Sequence, residues 1–267
     1  MESRGPDKDI VIAHISDIHV GSNHFVPNLI ERVIVEINEF EPDAVVITGD
    51  LTNDGFFQQY AAVKAYLDNI RCPQICALPG NHDSRNVGYV HFEDHFGPRN
   101  SAIYLPGVTI VALDSSQPDL NEGKLGRQNY HWIVDKLNRP EDFKIVAMHH
   151  HLLPLPGAGR ERNVIDDAGD FLELLVNQGI DLVLCGHKHV PNIWRFESFY
   201  VVNAGTASSL RVRGYAKQCY NIIEIEPDRC RVSRKYPFGE KKEVASFPVV
   251  PKTLKPEKLE RSDRLIT

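Results

Sequence analysis

Between residues 10 and 185, short apolar runs alternate with stretches of helical spacing, and this alternation restricts the chain to few architectures. Ile10–Ile15, Ala44–Thr48 and 74–78 read as buried strands. Between them, Pro27–Phe40 sets Ile30, Val33, Ile34 and Ile37 on one helical face, and 58–70 does the same with Tyr60, Val63, Leu67 and Ile70. The pattern continues through strand Val108–Leu113, helix 127–137, strand Phe143–Met148, helix 166–176 and strand 181–185. Strand and helix in turn call for right-handed crossovers and a largely parallel sheet, because a parallel partner cannot be reached through a tight turn. From Ile193 onward helical spacing disappears, and 200–203, 220–226 and 229–236 predict a second, mostly antiparallel sheet. Residues 1–238 are read as one domain. Residues 239–267 mix Lys, Glu and Pro without a period and are read as a C-terminal extension, either an exposed end or an arm that packs in a homodimer.

Each strand runs out into residue types that bind metals. Ile10–Ile15 leads into Ser16-Asp17-Ile18-His19, Ala44–Thr48 into Gly49-Asp50, and the 74–78 run into Gly80-Asn81-His82-Asp83. Phe143–Met148 leads into His149-His150-His151, and the 181–185 run into Gly186-His187-Lys188-His189. Taken singly, an Asp or Asn after a strand is a cap or turn residue and a lone His is a packed or surface residue. Five such endings in one sheet are a different matter, because the loops after parallel strands converge on one edge. Asp17 and His19, two residues apart, would leave an extended strand on the same face, and so would His187 and His189. Carboxylate oxygen and imidazole nitrogen without thiolate suit Mn, Fe, Co or Zn, whereas Mg and Ca favour all-oxygen shells. The residues supply three or four ligands to each of two transition-metal ions if one carboxylate bridges. Asp50 is the natural bridge, since it leaves the strand between those carrying Asp17 and Asn81.

Composition narrows what such a centre would act on. A net charge of −6 argues against a sequence-independent grip on nucleic acid, which needs clustered Lys and Arg, while a small anionic substrate can still bind at metal ions. The N-terminus lacks an apolar leader and no stretch reaches the roughly 18 apolar residues of a membrane-spanning helix, so a soluble cytoplasmic protein is expected. The odd set Cys72, Cys76, Cys185, Cys219 and Cys230 lies mostly in apolar runs and reads as buried free thiols.

These elements, Asp-X-His, Gly-Asp, Gly-Asn-His-Asp, a histidine cluster and Gly-His-X-His, resemble the signature of the calcineurin-like metallophosphoesterases from Asp17 to His189. Within that superfamily the chain looks most similar to class III cyclic nucleotide phosphodiesterases and related small bacterial and archaeal phosphodiesterases. The resemblance implies an α/β fold built as a four-layer α/β/β/α sandwich with two mixed sheets. It would assign Asp17, His19, Asp50 and His189 to one ion and Asp50, Asn81, His149 and His187 to the other. His82 would face the phosphate as the catalytic group, and Asp83 could orient its imidazole. Relatives often place Pro after the histidine pair, whereas His151 and Leu152 stand here. The register of the second ligand therefore lies between His149, the first histidine after the strand, and His150.

The implied reaction is hydrolysis of a small phosphodiester, a cyclic nucleotide or glycerophosphodiester, by water activated between two metals. A phosphomonoesterase or pyrophosphate hydrolase would use the same site. A non-catalytic scaffold would be expected to have lost ligands, and none is missing. Other candidates carry less. Asp114 and Ser115 read as a turn, Trp132 as packing, and His91 and His95 as a helical pair without a third ligand. Arg160 and Arg162 are loop charges that could reach a phosphate.

Overall fold

Alternate residues of the first strand, Ile10–Ile15 (β1), enter different cores. Ile10 and Ile12 belong to one apolar cluster and Ala13 and Ile15 to another, as the two-residue period of a strand buried on both faces requires. The computed structural model describes residues 8–140, 142–159 and 163–249. The remaining elements are α1 (Pro27–Phe40), β2 (Ala44–Thr48), α2 (Phe57–Leu67), β3 (Ile75–Leu78), α3 (Gly88–Phe96), β4 (Ser101–Leu105), β5 (Val108–Leu113) and α4 (Tyr130–Lys136). They continue with β6 (Phe143–Met148), α5 (Ala168–Gln178), β7 (Leu182–Cys185), β8 (Asn192–Phe196), β9 (Phe199–Asn203), β10 (Tyr220–Ile225), β11 (Arg229–Lys235) and β12 (Lys241–Pro248).

Two mixed six-stranded sheets result, in the orders β12-β11-β10-β1-β2-β3 and β4-β5-β6-β7-β9-β8. Ile10, Ile12, Val46 and Leu78 of the first meet Ile110, Ile145 and Leu184 of the second in the central core. The outer face of the first sheet is covered by α1 to α3 through Ile30, Val33, Tyr60 and Phe92, and that of the second by α4 and α5 through Ile133, Phe171 and Leu175. These are the four layers. Local signals set the helix ends: Pro27 opens α1, where its missing N–H costs nothing, and Gly179 closes α5 at φ 59°.

Three expectations are corrected. The C-terminal strands do not form a separate antiparallel sheet. β9 lies parallel to β7 and carries β8 at the edge of the second sheet, while β10 to β12 extend the first sheet from β1. The domain edge at 238 falls inside the β11–β12 hairpin, because Lys241–Pro248 is a strand with Phe247 in the central core. The rest of the extension, 250–267, lies outside the described residues, as do Arg160 and Arg162. The helix at 127–137 begins as a 3-10 turn, Arg127–Asn129, and only Tyr130–Lys136 is α-helical. All five cysteines are free and four are buried. Among the described residues no helix is long and apolar enough to cross a membrane. His91 and His95 pack around the rings of Phe57 and Tyr60.

Candidate metal centre

The loops after β1 and β2 run side by side beyond the strands, with Asp17 N donating to Gly49 O at 3.0 Å and His19 N to Asp50 O at 2.9 Å. Asp17 and His19 come together here, but not on an extended strand face. Both have left turning φ values, 55° and 57°, as do Asp50 at 52°, His187 at 84° and His189 at 55°. Such backbone costs of order 1–3 kcal/mol at each non-glycine residue and clusters at functional sites. Two glycines make room. A Cβ on Gly49 would meet Gly80 N at 2.6 Å and His149 Nδ1 at 2.7 Å, and one on Gly186 would meet Asp17 Oδ2 at 2.8 Å.

Two clusters of donor atoms follow. In the first, His19 Nε2 and His189 Nε2 are 2.9 Å apart, and Asp17 Oδ1 is 3.3 Å from His189 and 3.8 Å from His19. In the second, His149 Nε2 lies 3.2 Å from Asn81 Oδ1 and 3.2 Å from His187 Nδ1, which is itself 3.0 Å from Asn81 Oδ1. Asp50 Oδ2 stands between them, 3.6 Å from His19 Nε2 and 3.4 Å from His149 Nε2. Its other oxygen accepts the His82 N–H at 2.9 Å. Ligands each about 2.1 Å from one ion sit roughly 3.0–4.2 Å from one another, and these separations fall at or close to that range.

The histidines are oriented from behind. The Thr48 carbonyl accepts from His149 Nδ1 at 2.7 Å and the Asn53 carbonyl from His82 Nδ1 at 2.6 Å, while Arg211 O accepts from His189 Nδ1. In His149 and His189 this points Nε2 at the donor clusters, the usual arrangement of a metal-binding imidazole. Burial, the largest cause, brings His19 down to about 3 and holds His187 well below its ordinary range, so both are neutral and able to ligate. Burial would raise Asp50, but the His149 imidazole, by charge and hydrogen bond, is the largest influence that holds it ionised. Burial would also lower His149, yet the Asp50 carboxylate raises it to about 9, and a cation in that position displaces the proton. Converging imidazole nitrogens, two of them neutral, and a buried carboxylate between them fit a pair of transition-metal ions.

His149 and His150 separate cleanly. His149 faces Asp50, Asn81 and His187, whereas His150 pairs with Ser115 Oγ at 2.9 Å and Asn121 O at 3.2 Å. His151 turns to Gly186 O at 2.9 Å. Asp83 does not orient His82. Its carboxylate takes Leu51 N, Thr52 N, Thr52 Oγ1 and Gly80 N at 2.8 to 3.0 Å, tying the loop after β2 to the loop after β3. Burial and then the charge of Asp50 raise it to about 6. The task expected of it falls to the Asn53 carbonyl, with Arg85 Nη1 3.0 Å from His82 Nδ1. Asp83→Ala would strand buried donors, and a loss of about 3 kcal/mol or more in urea unfolding is expected; unchanged stability would refute this tie.

Sequence reasoning passed over several residues behind the ligands. Thr206 and Ser208 donate to the carbonyls of Asp17 and Ile18 at 2.6 and 2.9 Å, holding the left-handed turn from the loop after β9. Asn121 accepts from Asn81 Nδ2 at 3.3 Å, which aims Asn81 Oδ1 at the histidines. The hydroxyl-rich run after Gly205 was the available signal for the first pair; Asn121 had none.

The chain matches the family of calcineurin-like phosphoesterases over residues 10–191. It belongs to that family. Members are metal-dependent phosphoesterases, and the matched span contains every ligand candidate named above. A probable cyclic nucleotide phosphodiesterase of Synechococcus is 28% identical over 59% of this chain and 62% of its own length, so the chain spans under two thirds of that relative. A cAMP/cGMP dual specificity phosphodiesterase of Mycobacterium tuberculosis is 24% identical over 91% of this chain and 84% of its own. A probable glycerophosphodiester phosphodiesterase of Arcobacter nitrofigilis is 25% identical over 82% and 86%. The fold is shared with a dimetal phosphatase of Danio rerio, at 12% identity and TM-score 0.63 over 92% of this chain and 100% of that one.

Proposed function

We propose that this chain is a binuclear phosphodiesterase acting on a small diester, a cyclic nucleotide or a glycerophosphodiester. The observation that carries the reading is Asp50 Oδ2 standing between two donor clusters, a position that serves a bridging carboxylate. Asp17, His19, Asp50 and His189 would hold one ion and Asp50, Asn81, His149 and His187 the other, with Mn, Fe, Zn or Co suited to these donors. When bound, such a pair lowers the pKa of water and neutralises charge on the phosphoryl oxygens. The chain's own residues do the rest. His82, fixed through Nδ1 by Asn53, presents Nε2 to the phosphate or to the leaving oxygen, and Asp50 Oδ1 holds its backbone N–H. The relatives named for cAMP/cGMP and for glycerophosphodiesters support a diester substrate. A panel of 3′,5′-cyclic AMP, glycerophosphocholine and 4-nitrophenyl phosphate with Mn-loaded protein tests this. At least one diester is expected to exceed the monoester in kcat/KM by about tenfold or more, worth about 1.4 kcal/mol at the transition state. A preference for the monoester would overturn the reading.

A further inference from the structure

A cleft of about 790 Å³ is lined by segments that adjoin the candidate ligands in the chain, and its chemistry differs from theirs. It starts one residue past His189, at Val190, and continues along the loop whose Arg211 carbonyl holds that imidazole. Arg213, Lys217, Arg234 and Lys242 line it against a single acid, Glu240. Lys217 and Lys242 are exposed, and Arg234 Nε is buried without a hydrogen-bond partner among the described residues. Two rings, the fully exposed Tyr215 and the half-buried Tyr236, stand among these cations.

A simple phosphodiester has one negative charge, and that charge belongs at the metals. Cations beyond them need a second anion, and exposed tyrosine faces suit a planar heterocycle. We propose that the cleft admits a nucleotide leaving group that keeps its own phosphate, so that a diester joining two nucleotides is accepted alongside the small diesters named above. This rests on the phosphodiesterase reading. In the reaction the oxygen of water bonds to phosphorus, the P–O bond to the 3′-oxygen breaks, and that oxygen departs with a proton. A 5′-phosphorylated diadenosine dinucleotide, pApA, would give two molecules of 5′-AMP.

The test compares pApA, unphosphorylated ApA and bis(4-nitrophenyl) phosphate on the Mn-loaded full chain and on its Lys217→Ala/Lys242→Ala variant. A parallel calorimetric titration uses 5′-AMP. The wild type should favour pApA over ApA about tenfold in kcat/KM, and the variant should lose that preference through KM, with the losses confined to pApA; 5′-AMP should bind the variant about tenfold more weakly. Equal kcat/KM for the two dinucleotides, or 5′-AMP binding unaffected by the variant, would overturn the proposal. Failure to hydrolyse bis(4-nitrophenyl) phosphate would instead sink the phosphodiesterase reading, while the titration still decides the cleft.

Discussion

A strong chelator is expected to abolish hydrolysis of bis(4-nitrophenyl) phosphate, and added Mn to restore it. The donor clusters among the described residues are built of carboxylates and imidazoles that converge as metal ligands do. Without ions nothing at the site would neutralise the charge that builds on the phosphoryl oxygens. Metal chemistry at such a site is worth several kcal/mol, so a fall of about 10³-fold or more is expected. Asp50→Ala should reproduce most of that loss and leave fewer than two tightly held ions, because Oδ2 faces both clusters. Asn81→Ala should weaken mainly one site, since Asn81 Oδ1 faces the cluster of His149 and His187. Metal analysis beside the rate measurement decides it. Full activity in metal-free protein would defeat the central reading, and two firmly held ions in Asp50→Ala would defeat the bridge.

His82→Ala is expected to retain both ions yet lose about 10² to 10⁴ in kcat on a diester with an alkyl leaving group. Its imidazole is anchored by the Asn53 carbonyl and neighboured edge-on by His19 at 4.8 Å between ring centres. A nitrophenolate departs without a proton, whereas a ribose or glycerol oxygen needs one. If His82 is the acid, the loss should be much smaller on a nitrophenyl diester. Equal losses would show that it binds phosphate only. Its donor atom also lies within reach of His19 and Asp50, so metal content must be measured on the same samples. Loss of an ion would make it a ligand.

Helices such as α1, with Ile30, Val33, Ile34 and Ile37 on one face, were legible, whereas α3 was not read. The edge strands β4, β8 and β12 were not. β12 buries Phe247 but leaves Lys241, Lys242 and Glu243 in solvent, so its sequence has no clean alternation. Sheet membership was also hidden, since β9 and β10 look alike locally and differ only in which distant strand they meet, β7 or β1. At the site the candidate ligand types are legible in the sequence, but the geometry that brings them together is not. Pleated geometry would put Asp17 and His19 on one face, whereas left-handed turns place them and send His187 and His189 to different clusters. Thr206 and Ser208, which hold those turns, act on backbone carbonyls 189 and 190 residues away, a distance no local pattern spans.

The left-handed turns bear on how such a motif would decay. Asp and His are among the non-glycine residues that tolerate positive φ, so at Asp17, His19, Asp50, His187 and His189 the backbone and the proposed metal ligation select overlapping sets of side chains. Asn81 and His149 are under no such conformational demand. A descendant released from hydrolysis would still be held near Asp, Asn, His or Gly at the five turn positions, because a β-branched residue there would strain the fold. It would drift first at Asn81 and His149. In a lineage of such pseudoenzymes, an intact Asp-X-His or Gly-Asp would then report only the turn, and the surviving Asn81 and His149 pair would be the mark of retained chemistry.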